Sequence, residues 1–149
     1  MHQAVNSVRD SVEKLGFVAA TTSGMSMYPM LRHQRDCVVI KKAEGELKRW
    51  DVALYESGGR LVLHRVLKVK GDCYVIRGDN CTSKEYVKKE DVIGVLDNFT
   101  RNGKTYHCQS SKAYRGYCIL WSVTAFLRVT FKKLWLACYK LYKKSFKRN

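Results

Sequence analysis

Short runs of β-branched and aromatic residues, cut at close intervals by tight-turn signals, constrain this chain more than any other feature. Cys37-Val38-Val39-Ile40, Asp51 to Glu56, Arg60 to Lys70, Cys73 to Arg77 and Val92 to Leu96 have strand length and strand composition. Between or after them stand Ser57-Gly58-Gly59, Gly71-Asp72 and Asn102-Gly103, pairs whose backbone freedom suits hairpin turns. Runs joined by such short turns pair antiparallel with their neighbours. Phe17 to Thr22, Phe99 to Arg101 and Lys104 to Cys108 are extended pieces as well, and six or seven short strands are expected from the whole. They imply a mainly β, coiled antiparallel body over residues 17–108. Ser83 to Asp91 is polar and reads as a loop or a short helical turn.

Both flanks have helical period instead. In residues 1–16, Val5, Val8, Val12 and Leu15 recur at helical spacing, and Gly16 suits the stop. From Tyr114 onward, Leu120, Val123, Leu127, Phe131, Leu134, Cys138 and Leu141 fall on one face of a single expected helix over residues 113–149. Arg128, Lys132, Lys133, Lys140, Lys143, Lys144 and Lys147 fall on the other, with Trp121, Trp135, Tyr139 and Tyr142 near the boundaries.

Charge follows the same division. The net charge of +15 is not spread evenly: residues 1–97 hold all 13 acidic residues, and residues 98–149 hold 12 basic residues and no acid. An apolar stripe with boundary aromatics and an acid-free basic face is the pattern of a helix lying in a membrane interface. Residues 114–148 are therefore expected to meet an anionic membrane surface rather than nucleic acid. A helix docked on the β body with a solvated basic face is the competing reading. No run of about 18 apolar residues is present, so no conventional spanning helix is expected. Residues 1–16 lack the apolar core of a secretory signal. The expected location is the cytoplasmic side, at the membrane periphery.

The six cysteines, Cys37, Cys73, Cys81, Cys108, Cys118 and Cys138, form no CxxC pair. That argues against a structural zinc site and for buried free thiols. A Cys73–Cys108 disulfide remains open. No cofactor or metal is needed for the chemistry outlined below.

The only proline, Pro29, sits in Thr22-Ser23-Gly24-Met25-Ser26-Met27-Tyr28-Pro29-Met30. Proline fixes its own φ and disfavours helix in the residue before it. A stiff bend that presents a serine hydroxyl amid apolar surface is the setting a nucleophile needs, provided a base reaches it. The methionines are expected as apolar walls beside a substrate groove, with core packing open for Met25. His64 lies mid-strand in Leu63-His64-Arg65, and Asp79 lies in the turn Gly78-Asp79-Asn80. Histidine, ordinarily near pKa ~6.5, suits a general base, and a carboxylate on its far nitrogen would hold its tautomer.

These segments carry a resemblance. Ser23-Gly24-Met25-Ser26-Met27-Tyr28-Pro29 looks like the nucleophile box of the signal peptidase I superfamily, which includes the LexA-type self-cleaving repressors. Leu63-His64-Arg65-Val66 resembles the base box of its histidine-type members, and Arg77-Gly78-Asp79-Asn80 the family's Gly-Asp-Asn box. Trp50 to Tyr55 and Asp91 to Val95 are similar to two further strands of that fold. The likeness spans about residues 17–97 and best fits compact bacterial members without an N-terminal membrane anchor. It implies a serine endopeptidase that cleaves an extended leader or signal-type peptide. Ser26 would be nucleophile, His64 general base and Asp79 the orienting carboxylate. Glu85 is the alternative orienter. The Ser26 N–H, with Ser23 as a second donor, would form the oxyanion hole. A self-cleaving regulator and a non-enzymatic membrane- or nucleic-acid-binding module are the rival readings.

Overall fold

The computed structural model describes residues 2–146. Helix α1 (His2–Leu15) leads through Gly16 into β1 (Phe17–Thr21). There follow β2 (Cys37–Lys41), β3 (Val52–Ser57), β4 (Arg60–Lys70), β5 (Cys73–Arg77), β6 (Glu85–Lys88), β7 (Val92–Arg101) and β8 (Lys104–His107). Helices α2 (Lys112–Val123) and α3 (Ala125–Phe146) close the chain. The eight strands form one antiparallel sheet in the order β1-β2-β7-β3-β4-β5-β6, with β8 on β7.

The turn chemistry acts as the sequence suggests. Asn102 and Gly103 both take positive φ, 49° and 76°, as the mirror-image hairpin turn between β7 and β8 requires. Alternation along β3 then divides the interior. Val52 and Leu54 join α1, the serine loop, β2 and β7 in one core, whereas Ala53 and Tyr55 join Val66, Tyr74, Ile76 and Val87 in a second. The central strand is thus covered on both faces, and the serine loop packs against one of them.

Several expectations need correction. Only the end of Ser83 to Asp91 is the short helical turn expected there, a 3-10 turn at Lys89–Asp91; before it Glu85–Lys88 pairs with β5 as an edge strand. Lysines at 84 and 88 are the charged side chains that edge strands tolerate. The two extended pieces after Val92 are one strand, irregular where Val39 and Ile40 of β2 oppose Asn98 and Leu96. Leu15 is exposed and takes no part in the buried stripe of Val5, Val8 and Val12. Met27 and Met30 are core residues, and Met25 is exposed. All six cysteines are free, and Cys37 and Cys138 are exposed rather than buried.

The C-terminal segment is two helices, not one. Ser111 caps α2 by accepting from the Tyr114 N–H at 3.2 Å. The break comes at Thr124, whose hydroxyl donates back to the Leu120 carbonyl at 2.8 Å, a local bond that competes with helix continuity. Arg128 and Lys132 turn toward the β body instead of outward. The apolar residues Leu120, Val123, Leu127, Phe131 and Leu134 are exposed. The side chains of Lys140, Leu141, Tyr142 and Lys144, and Lys147 and Arg148 altogether, lie outside the described residues. Among the described residues no helix is long and apolar enough to cross a membrane.

Candidate active site

Strand register brings the site together. Arg65 of β4 pairs with Arg77 of β5, so the residues next in line, His64 and Gly78, meet. The approach is so close that only glycine fits at 78. A Cβ there would lie 2.7 Å from the Ser26 carbonyl oxygen, 2.8 Å from Cys81 Sγ and 2.9 Å from His64 Nε2. Ser26 and the imidazole therefore flank one point, although they stand 38 positions apart in the chain.

The serine loop is held from several sides. Tyr28 N–H donates to Met25 O at 3.2 Å and Leu31 N–H to Met27 O at 2.9 Å, closing a compact turn around Ser26. The Tyr28–Pro29 bond is cis. Arg101 grips the far side, donating to the carbonyls of Pro29 and Met30 and to the buried carboxylate of Asp36. Asn80 closes the near side: its N–H donates to Ser26 O at 2.7 Å and its Nδ2 to Met25 O at 3.1 Å. Among the described residues, the Ser26 hydroxyl and amide N–H take no hydrogen-bond partner, so both are open to a ligand.

The other side of His64 is fully committed. Its Nδ1 lies 3.0 Å from the Tyr55 hydroxyl oxygen and 3.2 Å from Glu85 Oε1. The Tyr55 hydroxyl has one proton, which it donates to Glu85 Oε2 at 2.6 Å. Both groups facing Nδ1 are then acceptors, so Nδ1 carries the ring proton and Nε2 carries the lone pair. Nε2 is buried and has no hydrogen-bond partner among the described residues, Ser26 Oγ included. An unpartnered acceptor in a buried site is costly unless function retains it. Burial pulls the imidazole pKa below its ordinary value, and the carboxylates of Glu85 and Asp79 only partly oppose this. The ring is a neutral base at physiological pH. Burial and the Glu85 carboxylate together push the Tyr55 phenol far above its usual range, so it stays a proton donor.

Asp79 does something else. Arg65 Nε and Nη2 donate to its two carboxylate oxygens at 2.8 and 2.7 Å, and the Tyr117 hydroxyl adds a third bond at 3.1 Å. With both oxygens engaged, Asp79 makes no hydrogen bond to His64, and the carboxylate that does reach Nδ1 is Glu85. The expected Asp79 contact to the base is therefore corrected. The cause is strand alternation: His64 and Arg65 are adjacent and point to opposite faces, and Asp79 lies on the Arg65 side. Burial opposes the charge on Arg65, but Asp79 more than offsets it and raises the guanidinium pKa. Arg65 further donates to Trp50 O and Tyr114 Oη, both at 3.0 Å, tying α2 to the sheet.

Ser26, His64 and Glu85 are thus brought together. Ser23 is exposed and makes no hydrogen bond to them. Tyr55 was not singled out by sequence, yet its place follows from the hairpin at Ser57-Gly58-Gly59. That turn sets Ala53 opposite His64, which puts Tyr55 on the same face one pleat along. Arg65, Tyr114 and Tyr117 had no such signal, since their meeting depends on how α2 docks.

Compared with known proteins, the chain matches no family model and no curated protein.

Proposed function

We propose that the chain is a serine endopeptidase in which Ser26 attacks a peptide carbonyl and His64 is the general base. The observation that carries this is the state of His64. Its Nδ1 is locked by Tyr55 and Glu85, and its Nε2 lone pair is buried beside the serine loop, without a hydrogen-bond partner among the described residues.

The steps follow from these positions. As Ser26 Oγ bonds to the scissile carbonyl carbon, its proton passes to His64 Nε2. Glu85 and Tyr55 stabilise the resulting imidazolium, and the Ser26 N–H receives the oxyanion. Collapse breaks the C–N bond, and the leaving amine takes the proton from Nε2. The Ser26 ester is then cleaved by water, which gives a proton to Nε2 as it adds. That proton returns to Ser26 Oγ as the carboxylic acid leaves, which then ionises to solvent.

The substrate is an extended, leader-type peptide. β1 is an edge strand paired only with β2, and the chain runs from β1 directly into the serine loop. A peptide added along the free edge of β1 would reach Ser26 at that strand's end. Met25 and Tyr28, both half exposed, supply apolar surface beside the serine.

We place the enzyme at the surface of an anionic membrane. The exposed apolar stripe from Ile119 to Trp135, in a segment without acid, supports this. The deciding experiment for the peptidase is hydrolysis of a leader-type peptide by purified wild type, Ser26→Ala and His64→Ala. Loss of turnover by about 1,000-fold or more in both variants is expected. Cleavage at the wild-type rate by either variant sinks the assignment.

A further inference from the structure

Beyond the helices, one face of the β4-β5-β6 ladder carries a cleft of about 460 Å³ with an unusual lining. Arg49, Lys68, Lys70, Arg77 and Lys84 all face it, and no acidic residue lines it. None of the five stands at ion-pair distance from a carboxylate among the described residues. Strand register explains the convergence. Lys68 pairs with Val75, which pairs with Tyr86, so these three share one face with the cleft. At the start of β6 the alternation sends Glu85 to His64 while Tyr86, and Lys84 just before the strand, go to the cleft. Tyr86, two-thirds exposed, lies under the Lys70 ammonium at 5.9 Å.

Five unneutralised cations around one concavity repel one another and are retained only at a cost unless an anion is present. The neighbourhood identifies the anion. Ser122 of α2 closes the cleft, and the next residue, Val123, is 74% exposed and belongs to the apolar stripe. Cationic concavity and apolar helix surface are therefore continuous. A nucleic acid would use the cations and leave the stripe bare. An acidic peptide would do the same. A bilayer of anionic phospholipid uses both, with phosphates in the cleft and acyl chains against Ile119, Val123, Phe126 and Leu127.

We propose that this cleft is a binding site for anionic phospholipid headgroups, seated beside the catalytic strands and outside the basic C-terminal tail. This rests on the placement of the enzyme at a membrane surface, but not on its peptidase activity. It assigns the headgroup contact to β4, β5 and β6, whereas Arg128 and Lys132 are spent on the catalytic turn.

The test is sedimentation of the full chain with vesicles of phosphatidylcholine alone and of phosphatidylcholine mixed with phosphatidylglycerol. Three proteins are compared: wild type, the cleft variant Lys68→Gln/Lys70→Gln/Lys84→Gln, and a charge-matched control, Lys14→Gln/Lys42→Gln/Lys104→Gln, whose lysines are exposed elsewhere. Each cleft lysine near the lipid is worth about fivefold, so the cleft variant should lose on the order of 100-fold in affinity for the mixed vesicles. It should keep the weaker binding to phosphatidylcholine. The control, with its charges away from the surface, should stay within about twofold of wild type. Equal losses in cleft variant and control would show a net-charge effect and overturn the cleft assignment while leaving the membrane reading intact. So would an unchanged preference for phosphatidylglycerol in the cleft variant. Wild type that sediments with neither vesicle overturns both, and in that case retention of an oligonucleotide would name nucleic acid as the partner.

Discussion

The backbone N–H of Asn80 donates to the carbonyl of Ser26 at 2.7 Å, so the serine loop hangs from the turn that follows β5. That turn is itself anchored from outside the sheet. Lys132 of α3 donates to Asn80 O at 2.6 Å and to Asn80 Oδ1 at 2.8 Å. Trp121 Nε1 and Arg128 Nη1 reach the Asp79 carbonyl at 3.3 and 3.5 Å. The helices that expose the apolar stripe are therefore the ones that brace the turn holding Ser26.

Lys132→Met should lower kcat on a leader-type peptide by about tenfold while KM stays within about twofold, because small displacements of a nucleophile cost rate more than binding. Lys132→Arg, which keeps charge and donors, should recover much of the loss. Steady-state kinetics of the two variants make the comparison. A kcat unchanged in Lys132→Met would mean that the brace does not position Ser26.

Asp79 and Arg65 make a separate case, because both are almost fully buried. Removing one partner of such a pair leaves an uncompensated charge and costs about 3–5 kcal/mol. Asp79→Ala should therefore shift the urea unfolding midpoint strongly downward. The double variant Arg65→Met/Asp79→Leu should restore much of the stability, since replacing both partners by apolar groups removes the unpaired charge. Asp79→Ala that is as stable as wild type but inactive would return Asp79 to the base.

The fold was largely legible because hairpin turns and period-2 runs are local signals. The same register arithmetic that joins β4 to β5 brings His64 to Gly78, so two of the three quoted segments meet by strand pairing alone. The choice between Asp79 and Glu85 was not legible. It depends on which face each carboxylate takes, and the polar run Ser83 to Asp91 reads as a loop or a short helical turn, where a strand face has no meaning. Arg65 shows the limit most clearly. Its partners at Trp50, Met30 and, on α2, Tyr114 and Cys118 come from three separate segments, and no spacing in the chain announces that meeting.

Glu85→Gln should separate the orienting role from mere packing. The glutamine amide can donate to Nδ1, which favours the tautomer with its proton on Nε2 and removes the base. A loss on the order of 1,000-fold in kcat/KM is expected, with little change in unfolding midpoint. Glu85 raises the His64 pKa, so its neutralisation should also move the acid limb of the residual pH–rate profile to lower pH. Tyr55→Phe leaves the carboxylate in place and should cost less. A limb that moves upward in Glu85→Gln would show that Glu85 is not the carboxylate His64 senses.

Stability should carry the same signature. The folded-state pKa of His64 is lowered, chiefly by burial, whereas in the unfolded chain it returns to about 6.5. Between these two values the unfolded state binds more protons than the folded state. Stability therefore rises with pH across that window and falls as pH drops below about 6.5, with a slope that approaches but does not exceed ~1.4 kcal/mol per pH unit for one group. Asp97 contributes a loss of the same direction, but only near and below its ordinary 3.8, because its hydrogen bond from Lys41 lowers its pKa further. Urea unfolding from pH 7.5 to 5, stepped in about half-unit intervals, should show the slope in wild type. His64→Gln, which cannot titrate, should flatten it over that range. An equal slope in both proteins would mean that the imidazole is not held neutral by the site, and Nε2 would lose its standing as the resting base.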